Sequence, residues 1–278
     1  MNAHRPLAAC AAALTLLTGV VGVSPASAQD LSRIDQGGAV YVEGSGYCTV
    51  GYNDPANRRS FVAAHCGQDG ARVSIVDHDT QTGSGHVGTF YRSKAFDSRL
   101  GNDWAAIQWD GGVNIGPNGF SGDPWVRPNE VSPGEQVCYY GQTSNRPRGN
   151  VTCGTYSGHV GNTYFVDAPL TQPGDSGGPM WVPGRGFIGV VSSMWATNAN
   201  FLPGSSNYVV GVLPEDGPAV PELQLLGLYV QNALLPRSGS SAGPVGDFLR
   251  QAFAQFFSFI ATLPISLPGI VSYNRAGE

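Results

Sequence analysis

From Gly38 to about Val230 the chain alternates short apolar, β-prone runs with clusters of glycine, proline, asparagine and aspartate. Ala39–Val42, Tyr47–Val50, Ser60–Ala63 and Arg72–Val76 come first, separated by Gly44-Ser45-Gly46, Asn53-Asp54-Pro55 and Gly67-Gln68-Asp69-Gly70. Further runs follow at Ser84–Tyr91, Trp104–Trp109, Gln136–Tyr140, Thr163–Val166, Phe187–Ser192 and Tyr208–Val212. Short strands at this spacing predict a β-barrel or a sandwich. No fixed-period repeat is visible. After Val230 the pattern changes: Pro236 to Pro244 reads as a flexible linker, and Asp247 to Thr262 is a phenylalanine-rich helical candidate.

The N-terminal 28 residues read as an export signal rather than part of the fold. Met1 to Arg5 is a short basic start, Leu7 to Val23 is apolar and uncharged, and Ser24 to Ala28 ends in an A-x-A-like cleavage site. Leu7-Ala8-Ala9-Cys10 looks like a lipoprotein box, but the apolar stretch ahead of Cys10 is too short and continues beyond it. The domains expected are therefore a signal peptide at 1–28, a folded body at 29–231, and a linker with an amphipathic or hydrophobic tail at 232–278. The location expected is secreted and extracellular, with contact to a membrane or cell envelope through the tail. Pro264 and Pro268 cut the tail's apolar run short of the ~20 residues a spanning helix needs. In an oxidising compartment Cys48, Cys66, Cys138 and Cys153 should pair. Three pairings are possible, of which the local one, Cys48 with Cys66 and Cys138 with Cys153, closes two short loops.

Composition supports the β reading, with 39 glycines, 20 prolines and Lys94 as the lone lysine. The chain carries 15 basic and 20 acidic residues, and Arg5 leaves with the signal. This acidic balance argues against nucleic acid as a partner, because phosphate binding needs a clustered basic face. No metal or cofactor is expected.

The chemistry concentrates at Pro173-Gly174-Asp175-Ser176-Gly177-Gly178-Pro179. A serine hydroxyl becomes a useful nucleophile when a tight turn presents it beside amide N–H groups aimed at a developing oxyanion, and flanking glycines permit that turn. The donors expected are the amides of Gly174 and Ser176. Ser60 to Cys66 supplies the base: an apolar run carries His65 to a strand end, where Cys66 can lock it to Cys48. His78, His86 and His159 sit in turn-rich or solvated contexts. Asp103, heading the apolar run Trp104–Trp109, is the carboxylate best placed to orient the histidine, with Asp97 and Asp110 as alternatives.

With His65, Asp103 and Ser176 in that order, the sequence resembles the trypsin/chymotrypsin-like serine peptidases, and within them the secreted bacterial branch of streptogrisins and α-lytic protease. The resemblance covers about Gly38 to Val230 and rests on Ala63-Ala-His-Cys66 and Gly174-Asp-Ser-Gly-Gly-Pro179; Val137-Cys138 through Cys153-Gly154 looks like that branch's second bridged hairpin. It implies an all-β fold of two packed six-stranded antiparallel barrels, roughly 38–118 and 119–231, with a C-terminal helical extension. It also implies an endopeptidase acting on proteins or peptides through an acyl-enzyme. A carboxylesterase fold is disfavoured although Gly174-Asp-Ser176-Gly-Gly178 fits its serine pattern, because the base lies upstream of the serine.

Three departures qualify the resemblance. Leu170 stands where relatives carry a cysteine bridged across the specificity pocket. The strand expected to line that pocket contains Ser192, Ser193 and Met194, and methionine replaces a customary glycine, which predicts a narrowed pocket and a preference for small or medium apolar side chains. Tyr139 replaces the arginine that usually neutralises the aspartate preceding the serine, leaving Tyr139, Arg127, Arg146 or the mature N-terminus as candidate partners of Asp175. If none serves, the alternative is a catalytically silent protein that uses the peptidase fold for binding.

Overall fold

The computed structural model describes residues 30–96, 101–145, 150–196 and 207–218, with isolated positions and one short strand beyond. Its strands are β1 (Arg33–Ile34), β2 (Ala39–Val42), β3 (Gly46–Thr49), β4 (Tyr52–Asp54), β5 (Arg59–Val62), β6 (Arg72–Ile75), β7 (Gly88–Arg92), β8 (Ala105–Trp109) and β9 (Asn114–Ile115) in the N-terminal half. The C-terminal half contributes β10 (Gln136–Tyr139), β11 (Thr152–Val160), β12 (Thr163–Asp167), β13 (Pro179–Val182), β14 (Gly186–Ala196), β15 (Asn207–Val212) and β16 (Ser272–Arg275).

The first sheet runs β3-β2-β6-β7-β8-β5-β4. Its two outer members are successive halves of one bent segment, because the Val50 amide donates to Gly38 O at 2.8 Å and the Gly51 amide to Phe61 O at 2.9 Å. Counting that segment once, six strands close on themselves. The second sheet runs β13-β10-β11-β12-β15-β14, and β14 returns to β13, closing a second six-stranded barrel. β16 adds to the outer edge of β14.

Each barrel forms because alternate side chains can be buried on one face of a pleated strand. In β8, Ala105, Ile107 and Trp109 are buried while Gln108 is exposed. Val40, Val62, Val73, Ile75, Phe90 and Ile107 fill the first barrel. Val137, Tyr156, Tyr164, Val166, Ile188 and Val209 fill the second. Full burial of a side chain of this size contributes ~1.5–3 kcal/mol. Between the barrels, Phe61 packs edge-on to Trp104 and Trp125 at centroid distances of 5.9 and 5.8 Å, and Tyr52 lies 4.8 Å from Phe187. This aromatic seam fixes the relative position of the two halves, and the loops carrying the candidate chemistry meet along it.

Cys48 bridges Cys66, and Cys138 bridges Cys153, the local pairing of the three possible. The expected leader lies outside the described residues, as does most of the tail. Ala252, Gln255, Phe256 and Phe259 have helical backbone. No helix among the described residues is long and apolar enough to cross a membrane.

Candidate active site

β5 delivers the histidine. The strand stops at Val62, and a 3-10 turn over Ala64–Cys66 follows, so His65 is presented from a turn rather than from the strand end itself. The Cys66 bridge to Cys48 ties this turn to β3. Asp103 arrives by a different device. Asn102 adopts a left-handed backbone conformation with φ of 51°, which asparagine tolerates better than most residues. Its side chain is fixed on both sides, Nδ2 donating to Gly217 O at 2.9 Å and Oδ1 accepting from the Gly217 amide at 2.6 Å and from Asn162 Nδ2 at 3.0 Å. The chain therefore turns inward just before β8, and Asp103 is buried.

These two segments and the serine loop converge. His65 Nδ1 lies 2.7 Å from Asp103 Oδ2, and His65 Nε2 lies 2.8 Å from Ser176 Oγ. A carboxylate only accepts hydrogen bonds, so Nδ1 carries the proton and Nε2 is left to accept from the serine hydroxyl. Asp103 also accepts from the His65 amide at 2.8 Å and from Ser192 Oγ at 2.6 Å. Burial alone would raise its pKa, but the His65 charge and the bonds from His65 and Ser192 outweigh it and hold the carboxyl below the ordinary value. Ser192 reaches Asp103 because β14 and β15 slip register between Val191 and Ser193, a bulge that re-aims the intervening side chain. Of the alternative carboxylates, Asp110 is half-exposed beside Arg72 at 3.7 Å, and Asp97 lies outside the described residues.

The serine loop is built on two left-handed glycines, Gly174 with φ of 98° and Gly177 with φ of 85°. Its carbonyls are held from several directions. Thr49 on β3 donates its amide to Ser176 O at 2.8 Å and its hydroxyl to Gly174 O at 2.7 Å. Thr143 donates its hydroxyl to Pro173 O at 2.7 Å, and the Gly178 amide donates to Asp175 O at 3.0 Å. In a trans peptide the N–H points opposite the C=O. Fixing the carbonyls of Pro173 and Asp175 therefore turns the Gly174 and Ser176 amides toward the other side of their peptide planes.

Asp175 is completely buried. Of the four candidate partners, neither Tyr139 nor Arg127 hydrogen-bonds it, and Arg146 and the expected mature N-terminus lie outside the described residues. Oδ1 accepts from the amides of Thr143 and Ser144, both at 2.9 Å, and Oδ2 accepts from the Gln172 amide at 2.7 Å and from the Ser144 hydroxyl. Tyr139 instead donates to Pro169 O at 2.7 Å, its phenol pushed up to about 12 mainly by burial. Arg127 pairs with Glu215 at 2.8 Å. A buried carboxylate needs hydrogen bonds more than it needs a formal countercharge, and a turn that aims several donors at it meets that need. These donors are mostly backbone amides, which any sequence carries, so nothing in the residue pattern announced them.

Of the residues expected to line a specificity pocket, Ser192, Ser193 and Met194 lie on β14 and Leu170 on the segment that enters the serine loop. Ser192 commits its hydroxyl to Asp103, and Met194 is half-buried on β14. Ser193 is buried, and its hydroxyl has no hydrogen-bond partner among the described residues; Thr171, five residues before Ser176, is in the same condition. Leu170 is 39% exposed on the segment leading into the serine loop. Among the described residues no group of three or more His, Cys, Asp or Glu side chains is arranged to hold a metal ion.

The family model for trypsin matches residues 60–213, more than half of the chain and all three converging side chains. This chain belongs to the trypsin family. Two uncharacterized proteins of Mycobacterium tuberculosis, from strains CDC 1551 and H37Rv, are each 31% identical to it over 202 residues, 67% of this chain and 85% of theirs. Among solved structures, Nocardiopsis protease (NAPase) is 22% identical, with a TM-score of 0.43 over 65% of this chain and 99% of that one. Kallikrein-related peptidase 10, in complex with Zn2+, is 17% identical, with a TM-score of 0.41 over 63% of this chain and 87% of that one. Sequence reasoning for this trypsin-family chain missed Thr49, Asn102, Thr143 and Ser144. Each acts through a bond to a distant backbone or side chain and has no local motif.

Proposed function

We propose that this chain is an extracellular serine endopeptidase working through an acyl-enzyme. The observation that carries the reading is the unbroken relay from Asp103 through His65 to Ser176, with links of 2.7 and 2.8 Å. Ser176 Oγ would attack the carbonyl carbon of a peptide bond as His65 Nε2 removes its proton, while Asp103 stabilises the imidazolium that results. The Gly174 and Ser176 amides would receive the negative charge on the carbonyl oxygen. His65 would then return the proton to the departing amine, and water activated by the same histidine would release the acyl group.

The four-donor cradle around Asp175 favours an active loop over a silent binding protein, since it supplies the support that the missing arginine had put in question. Two disulfides fit an oxidising, extracellular setting. The substrates proposed are proteins or peptides with a small or medium apolar side chain before the scissile bond, because a methionine at 194 would narrow the pocket and Leu170 offers no charge to grip a basic side chain. Fluorophosphonate labelling of the wild type, abolished in Ser176→Ala, tests the class; an unlabelled wild type would refute it. Peptide-library profiling tests the preference, which equal or faster cleavage after Arg or Lys would overturn.

A further inference from the structure

β14 is long enough to use one of its edges twice. Its first half pairs on that side with β13, from Val182 opposite Gly186 to Pro179 opposite Val190. Its second half pairs with β16: Ala196 faces Ser272, Trp195 faces Tyr273, Met194 faces Asn274 and Ser193 faces Arg275. Between these stretches the edge belongs to the serine loop, whose Gly177 amide donates to Val191 O at 2.7 Å while the Val191 amide donates to Gly178 O at 2.8 Å. Ser192, in the same gap, bonds Asp103. Because the pairing is antiparallel, β16 runs toward this gap and ends next to it.

An extended peptide whose forward direction leads along β14 into Ser176 has the geometry a substrate's acyl portion needs: ladder hydrogen bonds to the sheet edge give affinity without demanding a particular sequence. We infer that Ser272–Arg275 is a ligand in cis for this peptide-binding edge and competes with incoming substrate. The inference rests on the peptidase reading given above. The tail thus serves as an intramolecular competitor, which raises the apparent KM for other peptides and leaves kcat unchanged once substrate displaces it.

The test uses the full-length chain. Asn274→Pro removes a strand N–H and disfavours pairing. A tethered ligand acts at an effective concentration in the millimolar range, so KM for a short peptide amide should fall about tenfold with kcat constant. An unchanged KM would overturn the inference. A readout independent of turnover is the double variant Met194→Cys/Asn274→Cys, whose positions are register partners. Mild oxidation should join residues 194 and 274 within one molecule, as peptide mapping would detect, and failure to form that link would also overturn it. Fluorophosphonate labelling of the same samples separates the two readings. Loss of labelling in wild type and variant alike counts against the peptidase, whereas labelled protein without the cross-link counts against the tail's placement alone.

Discussion

Thr143 donates its hydroxyl to the Pro173 carbonyl at 2.7 Å, and that bond orients the peptide whose N–H belongs to Gly174. The same residue donates its amide to Asp175. One turn therefore fixes both the buried carboxylate and the amide expected to stabilise the oxyanion.

Removing the hydroxyl should let the Pro173–Gly174 peptide rotate. Thr143→Val is expected to lower kcat by about 10- to 100-fold with a smaller change in KM, below the 10²–10³ typical of deleting an oxyanion donor outright. Thr143→Ser should recover most of the rate. Steady-state kinetics on the three proteins decides it; an unaltered kcat in the valine variant would count against the role.

Ser144→Ala withdraws one of the four donors to Asp175. Hydrogen bonds to charged groups contribute about 1.5–3 kcal/mol, and urea unfolding should show a loss of that size. Asp175→Asn should cost more, since its amide nitrogen would face donors that need an acceptor.

Gly141 lies so close to Asp175 that a Cβ there would fall 2.2 Å from Oδ1. Gly141→Ala is expected to displace the carboxylate, destabilise the fold by about 1–3 kcal/mol and slow fluorophosphonate labelling. Labelling at the wild-type rate would show that the carboxylate has not moved.

Asp103 carries a pH signature. Its depressed folded-state pKa contributes stability above the unfolded value of about 3.9, and that contribution disappears as pH falls through the folded value. Urea midpoints of the wild type should therefore decline below about pH 4, and Asp103→Asn should show a shallower decline there. The same variant should lose about ten-thousandfold in kcat at neutral pH, because asparagine favours the wrong histidine tautomer.

Ser192→Ala leaves Asp103 with one donor fewer. We expect kcat to fall by about 10- to 100-fold, in line with losing ~1.5–3 kcal/mol of hydrogen bonding to a charged acceptor, with the disulfides and fold intact. Circular dichroism together with kinetics checks both halves of this expectation.

Much of the site was legible because its chemistry is written in short contiguous strings. Ala63-Ala-His-Cys66 and Gly174-Asp-Ser-Gly-Gly-Pro179 place two candidate catalytic side chains beside the small residues that their turns require. Strands such as Ala39–Val42 and Tyr208–Val212 were equally plain, being β-prone and bounded by turn residues. Less legible were β13, whose four residues are all buried, and β11, in which glycines, a serine and a histidine interrupt the apolar pattern. The run expected from Ser84 begins only at Gly88, since its opening residues are irregular, with Gly85 in a left-handed conformation and a bend at His86. Polar Asn102 looked like a spacer until its side chain was seen joined to Gly217 and Asn162.

The linear order of residues supplied the repertoire: a candidate nucleophile on a glycine turn, a histidine, a carboxylate, four cysteines, and enough β-branched and aromatic residues to fill two barrels. These are local properties, governed by backbone preference and side-chain chemistry over a few positions. Only the three-dimensional arrangement decided what hydrogen-bonds Asp175, which way the Gly174 amide faces, and which segment lies along the outer edge of β14. Those outcomes depend on backbone amides and carbonyls, which any residue carries, and on the hydroxyls of Thr143 and Ser144, which meet their partners only when segments some 30 positions apart in the chain are folded together, so no local string of residues announces them.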